Sequence, residues 1–418
     1  MSLPAIVSNL NRRLIPLLLL MYVFAFLDRT NIGFARDAFQ ADTGISDAAY
    51  AFGASVFFVG YALLEVPSNL ILHRVGARLW LSRIMVTWGL VSAAMAFVHT
   101  ANQFYLVRML LGLAEAGFFP GVILYLTYWY PKAARARSTG LFYYGAPLAF
   151  IFGGPLSGQL LELDGMFGFR GWQLMFLVEG LLASLAGIFV FFVLDDRPAD
   201  AKWLNAQDKQ TLLAALAADE EGKSHDLRGA GRALREPRVL FLSAIYVLIQ
   251  ASVYGLSFFL PTQVAKLLGT KVGLEVGLVS ALPWIVALIG VTLIPPYADR
   301  TGRHRGLGAI MLALAAAGLA VSALTASPLV AIAALCFAAC GMIVAQPLFW
   351  TLPTALLGGA GAAGGIALIN SIGNLGGFLA PNIRAWLEAT FASSAAGLLG
   401  LAAVALLGGG LMLMARRD

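Results

Sequence analysis

Twelve apolar runs, each long enough to cross a bilayer as a helix, leave this 418-residue chain little freedom of fold. They lie near 14–36, 48–72, 79–98, 102–130, 137–162 and 172–194, then near 238–263, 273–296, 306–325, 328–352, 360–385 and 392–415. About 20 helical residues cover a hydrocarbon core about 30 Å thick. Inside that core every backbone amide has to find its partner within the protein. The expectation is an all-α integral membrane protein with twelve transmembrane helices. Composition agrees, with 60% of residues hydrophobic and 12% charged, where a soluble domain carries about 25% charged. Arg12 and Arg13 lead straight into the first run with no small-residue cleavage site, which argues against a removed signal peptide.

The one long hydrophilic segment is 195–237, with a short amphipathic helix expected near 206–218. It divides the chain into an N-terminal six-helix bundle (1–194), a linker (195–237) and a C-terminal six-helix bundle (238–418). Basic residues set the orientation. With both termini cytoplasmic, Arg36, Arg170, Lys266, Lys271 and Arg384 fall outside and Arg29 and Arg108 within spans, leaving 21 of the 28 lysines and arginines on the cytoplasmic side. That placement accounts for the net charge of +6 without a nucleic-acid partner. The halves also echo each other. His73-Arg-Val-Gly-Ala-Arg78 matches Asp299-Arg-Thr-Gly-Arg-His304, Gly153-Gly-Pro155 recurs as Gly376-Gly-Phe-Leu-Ala-Pro381, and Trp129-Tyr-Pro131 as Trp350-Thr-Leu-Pro353. Two pseudo-symmetric bundles of this kind predict a site at their interface near mid-depth, reached by rocking one half against the other.

Charge inside the spans is the functional signal. An arginine at the bilayer centre costs about 2.5–3.5 kcal/mol, so it needs water, a partner or a ligand. Arg108 and Glu115 share one face of the fourth span, roughly 10 Å apart along the axis. Arg29 lies halfway through the first span, beside Asp28. Guanidinium forks match carboxylates, so two arginines facing one cavity suit an anionic guest; the plainer alternative is that each pairs with Asp28 or Glu115. Asp28 and Glu115 are the candidate proton carriers, because burial and a nearby arginine act on a carboxyl in opposite directions as a cavity opens and closes. Glu65 and Glu179, nearer span ends, read as structural or gating groups. His73, His99, His225 and His304 all fall in loops or at span ends. Cys336 and Cys340, four apart on one apolar run, read as packing rather than a metal or disulfide site.

Four strings carry a resemblance. They are Leu27-Asp-Arg-Thr-Asn-Ile-Gly-Phe-Ala35, Gly60-Tyr-Ala-Leu-Leu-Glu-Val-Pro-Ser-Asn69, Gly112-Leu-Ala-Glu-Ala-Gly-Phe-Phe-Pro-Gly121 and Gly365-Ile-Ala-Leu-Ile-Asn-Ser-Ile-Gly-Asn-Leu-Gly-Gly377. With the Asp299-Arg300 loop, they make the chain resemble the major facilitator superfamily over essentially its whole length. The finer likeness is to the anion:cation symporter family, in its bacterial branch of tartrate, phthalate and hydroxyphenylacetate permeases. In the first-half loop the acidic position is His73, a departure from the pattern. The resemblance implies Arg29 and Arg108 as substrate ligands and acids at 28 and 115 as proton couplers. It also places Tyr61, Trp350 and Asn370 at the central cavity, with Ser371 and Asn374 close by. Asp299 and Arg300 would serve as a gating pair. Tyr144, Gln250 and Tyr254 are further candidates.

Other chemistries find no support in the chain. Gly222-Lys-Ser224 looks like the end of a phosphate loop, but Ala217 stands where its first glycine belongs and no strand precedes it. No metal motif or nucleophile elbow occurs, so no cofactor and no enzymatic reaction are expected. The expected function is proton-coupled import of a small organic anion, tartrate-like by preference, across a bacterial inner membrane by a monomer. Rival readings are a proton-independent exchanger or facilitator, a carrier of an aromatic carboxylate, and a non-transporting receptor. The short linker argues against the last.

Overall fold

The computed structural model describes residues 2–220, 236–356 and 361–415, and among these all regular structure is helical. Twelve spans follow the hydropathy. Span one is Leu3–Thr43, two Asp47–Val75, three Ala77–Ala94, six Gly171–Val193, eight Leu274–Thr301, nine His304–Leu324, ten Pro328–Leu356 and twelve Ser394–Met414. Local chemistry fixes the ends. Ser46 caps span two through the Ala49 amide, and Thr100 with Gln103 forms a capping box at the start of span four. Large side chains such as Leu185, Phe192, Leu324 and Leu329 stay exposed, as a lipid-facing surface requires.

The other four spans are each interrupted between two helical segments, and only in span four does the backbone leave the helical range outright. Span four is Ala101–Glu115 then Phe118–Trp129; five is Lys132–Tyr143 then Gly145–Glu162; seven is Pro237–Ser257 then Leu260–Leu268; eleven is Gly361–Asn374 then Gly376–Phe391. At Tyr144 and Leu375 the dihedrals remain right-handed helical, so these interruptions are slight, and a hydropathy window registers none of the four. In span four the chain turns on Gly117 at φ +86°, where any Cβ would strike the Ser68 side chain, so glycine is required. Broken helices are tolerated at membrane depth only where protein or a water-filled cavity covers the loosened backbone. All four meet that condition, because each contributes to the wall of the central cavity.

Both termini and the linker lie on one face, where Arg13 sits over the Trp203 ring at 4.9 Å and Arg305 donates to the Ala415 carbonyl. The linker carries a helix at Ala206–Glu220, and Trp203 stacks on Trp129 at 5.7 Å. Positions 221–235, including Gly222-Lys-Ser224 and His225, lie outside the described residues. A cavity of about 570 Å³ opens on this terminal face, with Arg137 and Asp299 at its mouth. The opposite face is closed. Gly154 and Gly277 bring spans five and eight into backbone contact; a Cβ on Gly154 would lie 2.8 Å from the Gly277 carbonyl oxygen. Nearby, the Leu274 amide donates to Glu162 Oε1 at 2.8 Å, Asn382 Nδ2 to Ser55 Oγ at 2.8 Å, and Arg36 lies 5.0 Å over Phe259. Deeper in, Phe150 stacks on Trp284 at 3.9 Å.

Candidate functional site

The cavity narrows at mid-depth to an end lined by Tyr22, Phe26, Arg29, Tyr61, Phe119, Tyr143, Tyr246, Gln250, Tyr254, Gln346, Asn370 and Asn374. Helical periodicity explains the set. Tyr22, Phe26 and Arg29 fall on one face of span one at spacings of four and three, and Gln250 with Tyr254 and Asn370 with Asn374 repeat the four-residue spacing. Arg29 is the one cation in this lining. Its Nε donates to Glu115 Oε1 at 3.0 Å, its Nη2 donates to the same oxygen, and its Nη1 donates to Tyr254 Oη at 2.8 Å. The first partner belongs to the N-terminal half and the second to the C-terminal half. The rings of Phe26, Phe57 and Tyr61 lie 5.1, 5.4 and 5.2 Å from the guanidinium carbon. Aromatic faces of this kind help hold a desolvated cation, by about 0.5–2 kcal/mol each.

Glu115 is fully buried behind Arg29, and its Oε2 has no hydrogen-bond partner among the described residues. A buried carboxylate is tolerated here because two guanidinium bonds reach one oxygen; the second oxygen is left free to take a proton.

Arg108 is a correction. It was expected to face the cavity with Arg29, yet it is 1% exposed and does not line it. Its Nη2 donates to the Ala54 carbonyl at 2.9 Å and its guanidinium packs on Phe57 at 5.1 Å. Phe57 packs against both guanidiniums, 5.4 Å from that of Arg29 and 5.1 Å from that of Arg108. Asp28 also turns away from the cavity. Ser92 donates to its Oδ1, as does Asn31 at 3.3 Å, and its Oδ2 has no partner among the described residues. The four mid-depth charges therefore do not share one chamber. Two neighbouring positions on a helix, 28 and 29, project about 100° apart, which a count of buried charges does not register.

The remaining expected residues divide. Tyr61, Asn370 and Asn374 line the narrow end, and Gln250 Nε2 donates to Asn374 Oδ1 at 3.2 Å. Trp350 packs edge-on to Tyr246 at 4.9 Å, behind the lining rather than in it. Ser371 and Asn370 both donate to Glu65, a span-two carboxylate 3% exposed. Glu179 is fully buried in the N-terminal half, where Ser157 donates to it at 2.7 Å. Asp299 pairs with His304 at 2.7 Å at the mouth, and Arg300 is exposed. His73 bonds Tyr128 at 2.8 Å in place of an acid's partner. Tyr144, Gln250 and Tyr254 line the cavity. Gln346, Tyr22 and Tyr143 are additions; Gln346 was findable as the residue one turn before Trp350, and Tyr22 as two turns before Arg29.

With this geometry in hand, three comparisons bear on the molecule. A family model described as Major Facilitator Superfamily matches residues 18–381. The Escherichia coli (strain K12) inner membrane transport protein RhmT is 52% identical over 406 residues, 97% of this chain and 94% of that protein. A putative tartrate transporter of Agrobacterium vitis is 43% identical over 415 residues, 99% and 92% respectively. Among solved structures, a bacterial homologue of the human lysosomal transporter Spinster, in an inward-facing and unoccupied conformation, superposes with a TM-score of 0.75 at 19% identity, covering 99% of this chain and 95% of that one.

Proposed function

Starting from a chain that belongs to the major facilitator superfamily, transporters rather than enzymes and here a multi-pass carrier of small organic substrates, we propose that it imports a small organic anion together with protons. The carrying observation is that one guanidinium, Arg29, serves both the cavity and Glu115. An anionic guest that takes Arg29 deprives Glu115 of its partner. A buried carboxylate without a cation is costly, by several kcal/mol, and takes a proton instead. Binding of anion and proton are thereby coupled through one side chain. Asp28, which has hydroxyl and amide donors on one oxygen and none on the other, is the second proton holder.

In the proposed cycle the protonated, anion-loaded carrier rocks to the terminal face and releases both, and Arg29 rests on Glu115 during the return. Arg29, Tyr61, Gln250, Asn370 and Asn374 form the binding set, with Trp350 and Ser371 supporting it and Arg108 acting on the field rather than by contact. Asp299, Arg300 and Glu179 act in gating or packing. The favoured substrate is a hydroxylated carboxylic acid of tartrate type: one carboxylate suits Arg29, and the amides and tyrosine hydroxyls suit hydroxyls or a second carboxylate. The name of the Agrobacterium vitis relative supports this choice. A second reading, an aromatic carboxylate, is favoured by the ring-lined wall of Tyr22, Phe26, Phe119 and Tyr143. A thermal-shift screen of tartrate, gluconate, phthalate and hydroxyphenylacetate separates them.

We place both termini in the cytoplasm of a bacterial cell, the division between bundles at 195–237, and the working unit as a monomer. Uptake into proteoliposomes under an imposed pH gradient tests the coupling. Accumulation is expected to follow the gradient and collapse with a protonophore; accumulation indifferent to both leaves an exchanger or facilitator.

A further inference from the structure

Glu65 stands on span two, one turn past Tyr61, and carries a charge that the cycle above does not use. No described basic side chain forms an ion pair with it. Instead Asn370 Nδ2 donates to its Oε1 at 2.6 Å and Ser371 Oγ to its Oε2 at 2.7 Å. Both donors belong to span eleven, in the half that moves relative to Glu65. Asn370 itself lines the narrow end of the cavity beside Arg29, Tyr61 and Asn374.

Two of the cavity's donors, Arg29 and Asn370, are thus already occupied by the protein's own carboxylates. Glu115 covers Arg29 from one side, and Glu65 covers Asn370 and Ser371 from the other. We infer that Glu65 is a built-in competitor for the anion: in the empty carrier it occupies the span-eleven donors that an anionic guest needs, and the guest binds by displacing it. The inference rests on the organic-anion reading above.

The chemistry supports an exchange. Hydrogen bonds to an ionised acceptor are short and strong, and a guest carboxylate offers the same acceptor oxygens at the same donors. Swapping one for the other leaves no donor orphaned, and the displaced Glu65 carboxyl, still buried, takes a proton as Glu115 does. A bond serving only to hold span two in place could be made within its own half. Here the two donors come from across the interface, and one of them faces the cavity. The same contact ties the halves together while the cavity is empty and loosens when it fills.

The test uses the purified full chain in nanodiscs, titrated with L-tartrate, D-gluconate and phthalate. Glu65→Ala is expected to bind whichever acid the unaltered chain binds with a Kd lower by about five- to tenfold. Net uptake into proteoliposomes should fall by a similar factor while counterflow exchange persists, because the empty return is slowed. Within an Asn370→Ala background, Glu65→Ala should bring much less gain in affinity than it brings to the unaltered chain, whereas simple removal of a negative charge would bring the same gain in both. Glu65→Gln, which keeps the volume and one acceptor, should fall between the two if Glu65→Ala is poorly folded. Equal or weaker binding by both Glu65 variants, with the unaltered chain binding normally, overturns the competition and leaves the organic-anion reading standing. Silence from every chain with all three acids removes the organic-anion reading, and the competitor falls with it. A thermal-melting cycle over Glu65→Ala and Asn370→Ala needs no ligand, and strictly additive shifts there would contradict the tie between halves.

Discussion

The two halves of the molecule share a fold and divide the chemistry. At mid-depth the N-terminal half buries Asp28, Arg29, Glu65, Arg108, Glu115 and Glu179. The C-terminal half offers at the same depth Gln250, Tyr254, Gln346, Asn370, Ser371 and Asn374, all neutral. Among the described residues its one buried charge, Arg384, sits near the closed face and pairs with Glu388 at 2.8 Å. Buried charges are costly in lipid and are kept where they move ions or bind them. Neutral amides and hydroxyls are cheap and directional, suited to recognising the shape of a guest. The difference teaches that two pseudo-symmetric halves can keep the buried charges in one half and line the facing wall with neutral hydrogen-bonding groups from the other.

The division can be broken first at Arg29. Arg29→Ala removes the cavity's cation and strands Glu115, and uptake of the transported acid should fall by at least about a hundredfold, the scale of losing a 3–5 kcal/mol buried partner. Arg29→Lys should recover little, because a point charge does not reproduce the fork that reaches both Glu115 and Tyr254. Next, Glu115→Gln should bind and exchange the acid yet lose gradient-driven accumulation, as read by radiolabel uptake with and without a pH gradient. Wild-type accumulation in that variant would move the coupling role out of Glu115.

A smaller effect sharpens the comparison by contrasting two residues. Gln250→Ala, in the selecting half, should raise KM by about tenfold, the scale of one lost hydrogen bond to a charged guest, and leave the pH dependence of uptake in place. Arg108→Gln, in the charged half but off the cavity, should lower melting temperature and disturb the pH dependence while KM changes less than with Gln250→Ala. The reverse pattern would return Arg108 to the binding set. The smallest effect belongs to the span-four break: Gly117→Ala, at φ +86° against Ser68, should cost about 1–2 kcal/mol of stability, seen as a lowered melting temperature.

Much of this was legible before any coordinates. Span count follows from apolar run length, and the division of charges between halves from reading Asp28, Arg29, Arg108 and Glu115 against spans that tolerate none. The side each charge faces was not legible. Asp28 and Arg29 are neighbours in sequence and point into different compartments, and Arg108 is screened from the cavity by Phe57. The interruptions at 116–117, 144, 258–259 and 375 escape an averaged hydropathy profile because local backbone geometry leaves no mark on a window. Asn370 and Ser371 are legible as polar groups near the cavity, whereas Glu65, nearer a span end, reads as structural or gating, and a pairing across 305 residues leaves no mark in the sequence.

The central claim is that anion and proton meet through Arg29 and Glu115, and proton movement reports on it directly. Proteoliposomes loaded with a pH-sensitive dye, and no imposed gradient, are given the acid that stabilises the protein most in the thermal-shift screen. The account predicts that the lumen acidifies with the unaltered chain and not with Glu115→Gln, beyond the leak of protein-free vesicles. Uptake of the acid without acidification, or equal acidification in the variant, would contradict it.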